Sequence, residues 1–212
     1  ISHQIKTPIT SMRIMLDNIE DNPNMESKTR EEFIKEISKQ VDWISSLVVS
    51  LLKLAKFDAG AIVMKNEEIN VRNLIDKAVS NLAIILDVKN IKIISNIDEA
   101  ATINADYNWQ LEAITNIIKN AVEHSSDNSN IYINVENTSV FVKIQIKDEG
   151  EGNGKKDINH IFERFYKSKN SSENSIGIGL SLAKTIIEKA NGYIKVESEE
   201  GKGTMFEIKY LK

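Results

Sequence analysis

Apolar residues recur at helical spacing over the first part of the chain. Before Pro23 they step by three or four positions: Ile5, Ile9, Met12, Leu16 and Ile19. After a polar, turn-forming stretch around Pro23 the same spacing resumes: Ile34, Ile37, Val41, Ile44, Val48, Leu51 and Ala55. Such spacing puts the side chains of each segment on one helix face. The pattern therefore predicts two helices joined by a short loop, a helical hairpin.

The apolar seam of this hairpin needs a partner, because two helices alone bury little surface. Pairing of two copies of the chain into a four-helix bundle is the simplest solution. The alternative is that the seam packs against the rest of the same chain. We expect the hairpin to occupy residues 1–59, with Gly60 ending its second helix and opening a linker at 60–66.

Beyond the linker the pattern changes to helices that alternate with short strands. Helices are predicted over NVRNLIDKAVSNLAIIL, YNWQLEAITNIIKNAVEHS and GLSLAKTIIEKANG, the first capped by Asn70 and the last closed by Gly192. Strands are predicted over IKIISNI, ATINAD, NIYINVE, VFVKIQIKDEG, YIKVESEE and GTMFEIKY. Residues 67–212 should therefore form an α/β sandwich, with a layer of helices on one mixed, mostly antiparallel sheet.

Composition narrows the classes of protein. The 212 residues carry a net charge of −4 with both signs interspersed, so nucleic acid is not an expected partner. The absence of cysteine excludes disulfide frameworks, thiolate zinc sites and cysteine nucleophiles. No apolar run approaches the roughly 18–20 residues of a membrane span, and we expect no signal peptide within these 212 residues. The chain starts without Met inside a predicted helix, so we interpret it as a fragment of a longer protein.

Four polar residues share one face of the helix predicted over 107–125. Glu112, Asn116, Asn120 and His124 are each four positions apart, beside an apolar face. A solvated stripe is the simplest explanation. Asparagine is unfavourable inside helices, however, and amide oxygens can ligate Mg²⁺ without adding charge. The spacing leaves both interpretations open.

Two glycine-bearing segments suggest a nucleotide site. In KDEGEGN, Asp148 ends a strand and could accept a hydrogen bond from an exocyclic amine such as that of adenine, while Gly150 and Gly152 permit close backbone approach. In SIGIGLSLAK, Gly177 and Gly179 precede a helix whose exposed amides could bind phosphate. The dinucleotide-binding pattern does not fit, and neither does the Walker pattern, whose required first glycine is Glu149 before Gly154-Lys155 and Val196 before Gly201-Lys202. Any nucleotide site must be of another type.

Five segments in one order carry a family resemblance: HQIKTP, NIIKNAVEH, DEGEG, FERFYK and GIGLSLAK. In order and approximate spacing they resemble the sensor histidine kinases of two-component systems, over essentially the whole chain. The resemblance implies a dimerisation and phosphotransfer hairpin at 1–59, which pairs into a dimeric four-helix bundle. It implies an ATP-binding domain at 67–212 of the Bergerat type, as in DNA gyrase and mismatch-repair ATPases.

The same resemblance implies the ligands and partners. ATP and Mg²⁺ would bind the α/β domain, the hairpin would form a homodimer, and the receiver domain of a response regulator would accept the phosphoryl group. The fragment would be the cytoplasmic portion of a bacterial inner-membrane sensor, anchored upstream.

Three residues of the first segment are expected to carry the chemistry. His3 matches the phosphoacceptor, since a neutral imidazole is a nucleophile at physiological pH. Thr7 matches the position that orients water to dephosphorylate the partner; equally, it could simply precede Pro8 in a kinked turn. Gln4 departs from the acidic neighbour usual in the family. It can orient the imidazole but cannot take its proton, and a general base contributes roughly 10²–10⁴-fold.

The resemblance assigns the nucleotide site residue by residue. Asn120 would hold Mg²⁺, Asp148 would read adenine, and Gly150 and Gly152 would form the turn beneath the base. The remaining matched positions belong to the lid, the phosphate site and its surroundings: Asn116, His124, Arg164, Lys167, Gly177, Gly179 and Leu180.

Departures from the family pattern keep rival functions open. Asn116 stands where related hydrolases carry a water-activating glutamate, which favours transfer over hydrolysis. Ser175 replaces a frequent third glycine. Glu123 replaces a frequent basic residue, so either it points away from the phosphates or His124 makes that contact. These departures at Ser175 and Glu123, together with Gln4, keep open a nucleotide-binding signalling scaffold with weak or lost kinase activity. An ATP hydrolase or a serine kinase is a further alternative, disfavoured by the hairpin and by Asn116.

Overall fold

The computed structural model describes residues 2–168 and 175–212, with residues 2, 3, 155 and 156 described by their backbone alone. Contacts between residues divide the chain into two compact units, Ile1–Ala59 and Gly60–Lys212. Across the described residues, no helix combines the length and the apolarity that a membrane crossing requires.

The first unit is a helical hairpin, as predicted. Helix α1 spans Ser2–Asp21 and continues through Pro8, and helix α2 spans Ser27–Asp58. Gly60 directly follows the C-cap and has a φ of +63°, which suits its predicted role as the helix stop. Within the single chain many large apolar side chains of the hairpin stay exposed: Ile9, Ile14, Leu16, Ile34, Val41, Val48, Val49 and Leu52.

The second unit contains the remaining helices and strands. Its helices are α3 (Val71–Ser80), α4 (Ala83–Lys89), α5 (Tyr107–His124), α6 (Lys155–Ile158) and α7 (Gly179–Lys189). Its strands are β1 (Glu67–Asn70), β2 (Lys92–Ile97), β3 (Thr102–Ala105), β4 (Asn130–Asn137), β5 (Phe141–Asp148), β6 (Gly192–Glu199) and β7 (Gly203–Leu211). The main sheet has the order β2-β4-β5-β7-β6, and β1 pairs with β3 in a separate ribbon.

The sheet is mixed and mostly antiparallel, as predicted. Only the β2–β4 pair is parallel among the strands of the main sheet. Alternate residues of β4 and β5 are buried, so each strand presents one apolar face. Helix α5 packs against α3, α7 and β5, and seven of its residues are buried. It is therefore the central helix of the α/β sandwich.

Several local predictions were wrong or incomplete. The helix predicted from Asn70 through Leu86 is two helices, because the chain turns at Asn81–Leu82 between α3 and α4. Strand β1 and the short helix α6 were not predicted. Helix α7 ends through Asn191, whose φ is +54°, rather than through Gly192. Gly192 lies in β6, where a Cβ would come within 2.8 Å of side chains from α7 and β7. The predicted cap of α3 is confirmed, since Asn70 Oδ1 accepts a hydrogen bond of 3.0 Å from Asn73 N.

Candidate functional site

Helix α5 carries the predicted polar face beside its buried apolar face. Asp106 caps α5 by accepting hydrogen bonds from the backbone amides of Asn108 and Trp109 at 3.1 and 3.2 Å. Glu112, Asn116, Asn120 and His124 follow each other along the helix, and all are half-buried. A freely solvated stripe would be more exposed, so neighbouring elements partly cover these side chains.

Asp148 is the most buried charged group near this face. It ends β5 with 1% of its surface exposed. Its Oδ1 accepts hydrogen bonds from Gly150 N at 2.9 Å and from Thr204 N at 3.1 Å, and its Oδ2 has no hydrogen-bond partner within the described residues. Burial raises the pKa of Asp148, while those backbone hydrogen bonds and the nearby His124 oppose the rise. One oxygen is thus anchored and the other remains available as an acceptor.

Glycines bring three backbone segments into contact around Asp148. A Cβ at Gly150 would lie 2.2 Å from the carbonyl oxygen of His124, at the end of α5. A Cβ at Gly203 would lie 2.1 Å from the carbonyl oxygen of Asp148, and one at Gly152 would lie 2.1 Å from a carbonyl oxygen of β6. Only glycine fits these approaches. The end of α5, the turn after β5 and the β6–β7 hairpin therefore pack backbone against backbone.

A hydrogen-bond network that was not predicted holds this arrangement together. Asn153 N donates to Ser198 Oγ at 2.7 Å, and Asn153 Nδ2 donates to Thr204 Oγ1 at 3.3 Å. Gly201 N donates to the carbonyl oxygen of Glu151 at 2.6 Å. These bonds tie the turn after β5 to the β6–β7 hairpin, and Thr204 N completes the anchor of Asp148. The sequence signal that could have indicated this hairpin contact is the GKGT run at its tip, where two glycines flank a tight turn.

Two glycines of this hairpin allow a matched test of the close approach. Gly201 and Gly203 both have positive φ, but a Cβ at Gly201 meets nothing within 4 Å. We expect Gly201→Ala to lower the free energy of unfolding by about 1 kcal/mol through backbone strain alone. Gly203→Ala adds a clash with the Asp148 backbone and should cost about 2–4 kcal/mol. Urea unfolding measures both, and equal losses would show that the close approach is unimportant.

The other end of the polar face meets the start of α7. A Cβ at Gly179 would lie 3.4 Å from Oδ1 of Asn116, so the first residue of α7 sits beside that amide. The N-cap residue of α7, Ile178, has an apolar side chain and makes no capping hydrogen bond. Leu180 follows in the first turn and is half-buried. Uncapped amides at a helix N-terminus suit a phosphate group. The structure thus brings Asn116 next to Gly179 at the start of α7.

Backbone contacts join Phe165 and Tyr166 to Gly177, shortly before α7. Phe165 N donates to the carbonyl oxygen of Gly177 at 2.7 Å, and a Cβ at Gly177 would lie 2.6 Å from the carbonyl oxygen of Tyr166. Phe165 has a φ of +68°, an unfavourable conformation for a bulky residue. The Tyr166 hydroxyl donates to Asp157, which raises the pKa of Tyr166 to about 12.

The basic residues expected in this segment, Arg164 and Lys167, are both exposed. Ser175 is half-buried beyond residues 169–174, which lie outside the described part of the chain. His160 is exposed, and its ring contacts the Glu163 carboxylate at 2.7 Å.

Glu123 does not present an unpaired charge. Its carboxylate lies 3.6 Å from Lys119 Nζ, one helical turn back along α5. Of the two possibilities left by the sequence, this geometry favours a carboxylate directed along the helix surface.

The residues of the first segment lie in the hairpin. His3 lies in the first turn of α1, and its side chain is outside the described atoms. Gln4 is half-buried, and its Oε1 is buried without a hydrogen-bond partner in the described residues. Thr7 is exposed, one turn after His3, and lines an open cleft of about 670 Å³ between α1 and Phe33 of α2.

Asn120 is the candidate Mg²⁺ ligand on the polar face of α5. Asn120 is half-buried and its amide has no hydrogen-bond partner among the described residues. Within residues 2–168 and 175–212, no group of three or more His, Asp or Glu side chains could hold a metal by itself. A Mg²⁺ ion that takes most of its ligands from phosphate oxygens and water needs only one or two protein oxygens. The residues therefore fit a metal that arrives with a nucleotide.

Comparison with known proteins identifies the family. Residues 105–212 match the family model of histidine kinase-, DNA gyrase B- and HSP90-like ATPases. Residues 1–60 match the His Kinase A (phospho-acceptor) domain. The chain therefore belongs to the sensor histidine kinases of two-component systems, with the Bergerat ATP-binding fold in its second unit. The family and the fold class predicted from the sequence are confirmed.

One curated relative is similar in sequence over the whole chain, and two solved structures share its fold. The chain is 32% identical over 212 residues to the heme sensor protein HssS of Staphylococcus saprophyticus, covering all of this chain and 45% of that protein. The Acinetobacter baumannii histidine kinase AdeS has a TM-score of 0.81 at 23% identity, covering 99% of this chain and 97% of that chain. The histidine kinase ThkA, solved with the response regulator TrrA, has a TM-score of 0.77 at 22% identity, covering 100% and 59%. The chain thus spans less than half of its curated relative HssS.

Proposed function

We propose that this chain binds Mg·ATP in its second unit and transfers the γ-phosphoryl group to His3. The observation that carries the proposal is the anchored carboxylate of Asp148, whose second oxygen is available beside the end of α5. It can accept a hydrogen bond from the exocyclic amine of adenine. From His3 the phosphoryl group then passes to an aspartate on the receiver domain of a response regulator.

The polar face of α5 provides the length that a nucleotide needs. From His124 back to Asn116 the helix rises about 12 Å, comparable to an extended adenine nucleotide. The base would lie against Asp148, Gly150 and Gly152, and the phosphates would lie near Asn116 and the start of α7. The lid contacts would come from Lys167, Gly177 and neighbouring residues.

The phosphate end favours transfer over hydrolysis. Asn120 would hold Mg²⁺, which when bound supplies neutralising charge to the phosphates. Asn116 carries an amide, which cannot remove a proton from water, so water near the γ-phosphate is not activated there. Gly179, the first residue of α7, lies beside the Asn116 amide.

The partners follow from the hairpin. Its exposed apolar residues support a homodimer, since a second copy would cover them as a four-helix bundle. The ThkA–TrrA complex supports a response regulator as the phosphoryl acceptor. Thr7, exposed one turn after His3, suits water orientation in dephosphorylation of that partner. We further infer that the full-length protein is anchored in a bacterial inner membrane upstream of this cytoplasmic portion.

Gln4 supports one alternative function. Its side chain cannot accept a proton, and its Oε1 has no partner among the described residues. A chain that binds nucleotide but transfers phosphate weakly or not at all would act as a signalling scaffold.

Incubation with γ-labelled ATP and Mg²⁺ tests these functions. The proposed kinase should gain a label that is labile in acid and stable in base, as expected of a phosphohistidine, and EDTA should prevent labelling. Nucleotide binding without label would favour the scaffold. Phosphate release without protein label would favour an ATP hydrolase, and an acid-stable label would favour a hydroxyl-directed kinase.

The Gln4→Glu variant tests the missing proton acceptor. A carboxylate next to His3 could orient the imidazole and accept its proton, a contribution of roughly 10²–10⁴-fold where a general base limits the rate. We expect Gln4→Glu to keep or raise the initial labelling rate, with unchanged affinity for ATP. The change Asn24→Asp, at an exposed position between α1 and α2, is not adjacent to His3 in sequence and controls for added charge. A large drop in rate would mean that the amide of Gln4 has a specific role.

A further inference from the structure

Lys89 makes an unusual set of contacts at the end of α5. It is the last residue of α4, and its Nζ donates to the carbonyl oxygens of Val122 at 2.8 Å, Glu123 at 3.3 Å and Ser125 at 2.9 Å. The last carbonyls of a helix lack partners within the helix. An ammonium group offers three donors and is attracted to the negative end of the helix dipole. Lys89 therefore caps α5 from a separate helix.

Backbone and amide contacts strengthen the same junction. The Lys89 carbonyl oxygen accepts a hydrogen bond from Asn128 N at 2.8 Å, and Asn90 Nδ2 donates to Asn128 Oδ1 at 2.7 Å. Lys92 N donates to the carbonyl oxygen of Ser129 at 3.1 Å. The turn from α4 into β2 thus holds both the end of α5 and the loop that follows it.

The capped helix end is the part of α5 that meets the candidate adenine site. The carbonyls bound by Lys89 flank that of His124, which is the one that Gly150 packs against. Gly150 N in turn donates to Asp148 Oδ1. A continuous path therefore leads from Lys89 through the last turn of α5 and Gly150 to the carboxylate of Asp148.

We propose that Lys89 is a positioning residue for the adenine side of the nucleotide site, an inference that rests on the proposed function. It acts through the last turn of α5 and does not itself touch the nucleotide. Asn116 and Asn120 lie one to two turns earlier, where the helix supplies its own hydrogen bonds. Loss of Lys89 should therefore loosen recognition of the base more than binding of the phosphates.

The expected effect is a loss of base recognition in a folded protein. Lys89→Met keeps most of the stem but removes the three donors, so ADP and ATP should bind about tenfold more weakly, by similar factors. Binding of GDP, which offers no exocyclic amine at the matching ring position, should change much less. The preference for adenine over guanine nucleotides should therefore fall in Lys89→Met and be largely restored in Lys89→Arg.

Calorimetric titration of ADP and GDP in the presence of Mg²⁺ tests this, with urea unfolding to establish that each variant is folded. Lys77→Met, at an exposed site in the last turn of α3, is the matched control and should bind as the wild type does. If Lys89→Met does not fold, Lys89→Gln replaces it, with an expected loss of about threefold to fivefold.

The outcomes separate this inference from the proposed function. A wild type that binds ADP, together with a folded Lys89→Met or Lys89→Gln variant of unchanged base preference, would overturn the positioning role alone. A wild type that does not bind ADP would overturn the proposed function itself. Equal weakening of ADP and GDP binding would also contradict the role, because it would indicate a general loss of stability in the site.

Discussion

Replacement of His3 by alanine is expected to abolish phosphoryl incorporation while leaving nucleotide affinity unchanged. The imidazole is the proposed nucleophile, and alanine offers no atom that could accept the γ-phosphoryl group. Every residue assigned to the nucleotide site lies in the second unit, Gly60–Lys212, so the substitution leaves those residues intact. Labelling with γ-labelled ATP should fall to background, whereas the Kd for ADP should match that of the wild type.

A second histidine provides the control for this result. His160 is exposed and contacts Glu163, so His160→Ala should retain the label. Acid treatment of each labelled sample then tests whether the label has the stability of a phosphoramidate. Persistent acid-labile label in His3→Ala would place the phosphoacceptor at another residue and contradict the proposed role of His3.

Periodic sequence patterns predicted the main elements because burial imposes those patterns directly. The alternation of β-branched residues in β4 and β5 corresponds to one buried face of each strand. The apolar residues of α5 at helical spacing became its buried side. Asn70 was predictable as a cap because its side chain satisfies a backbone amide only a few residues away.

Short or locally stabilised features were harder to predict. Strand β1 has four residues and no alternation, and it exists through pairing with β3, far away in sequence. The turn between α3 and α4 interrupts a run whose apolar spacing continues without a clear breaker. At the end of α7, asparagine at 191 takes the left-handed conformation, while the adjacent glycine is needed for close packing instead.

The candidate site also contains both kinds of feature, those that the sequence predicts and those that depend on tertiary contacts. Asp148 and the glycines after it could be recognised from their residue types and order. The second anchor of Asp148 is the backbone amide of Thr204, 56 positions later, and a backbone amide has no residue-specific signature. Lys89 was likewise not predicted, because a lysine in the last turn of a short helix usually lies in solvent. Its role depends on the tertiary contact with α5, which periodicity does not encode.

Asp148→Asn should weaken binding of ADP and ATP by about 10–150-fold, since a hydrogen bond to a charged group contributes about 1.5–3 kcal/mol. Asparagine is close in shape, and its carbonyl oxygen can still accept from Gly150 N and Thr204 N. Its amide group would then replace the available Oδ2 and present donors to the donor amine of adenine. The surface change Asp76→Asn on α3 is the matched control and should not alter the Kd.

Two further measurements distinguish lost recognition from lost structure. Burial raises the pKa of Asp148, so the ionised carboxylate destabilises the folded state once the pH exceeds the ordinary aspartate pKa. Near neutral pH, Asp148→Asn removes that penalty and should unfold at the same or a higher urea concentration than the wild type. A large decrease in stability would contradict this and assign the loss of binding to unfolding.

The pH dependence of binding gives the sharper result. On acidification the wild type should lose ADP affinity as Asp148 is protonated, beginning at a higher pH than an ordinary aspartate would, because its pKa is raised. Asp148→Asn has no such group, so its already weak affinity should lack this component. The titration of the nucleotide itself is common to both proteins and cancels in the ratio of their dissociation constants. That ratio should approach one as the pH falls through the raised pKa; a ratio independent of pH would show that the ionised carboxylate does not recognise the base.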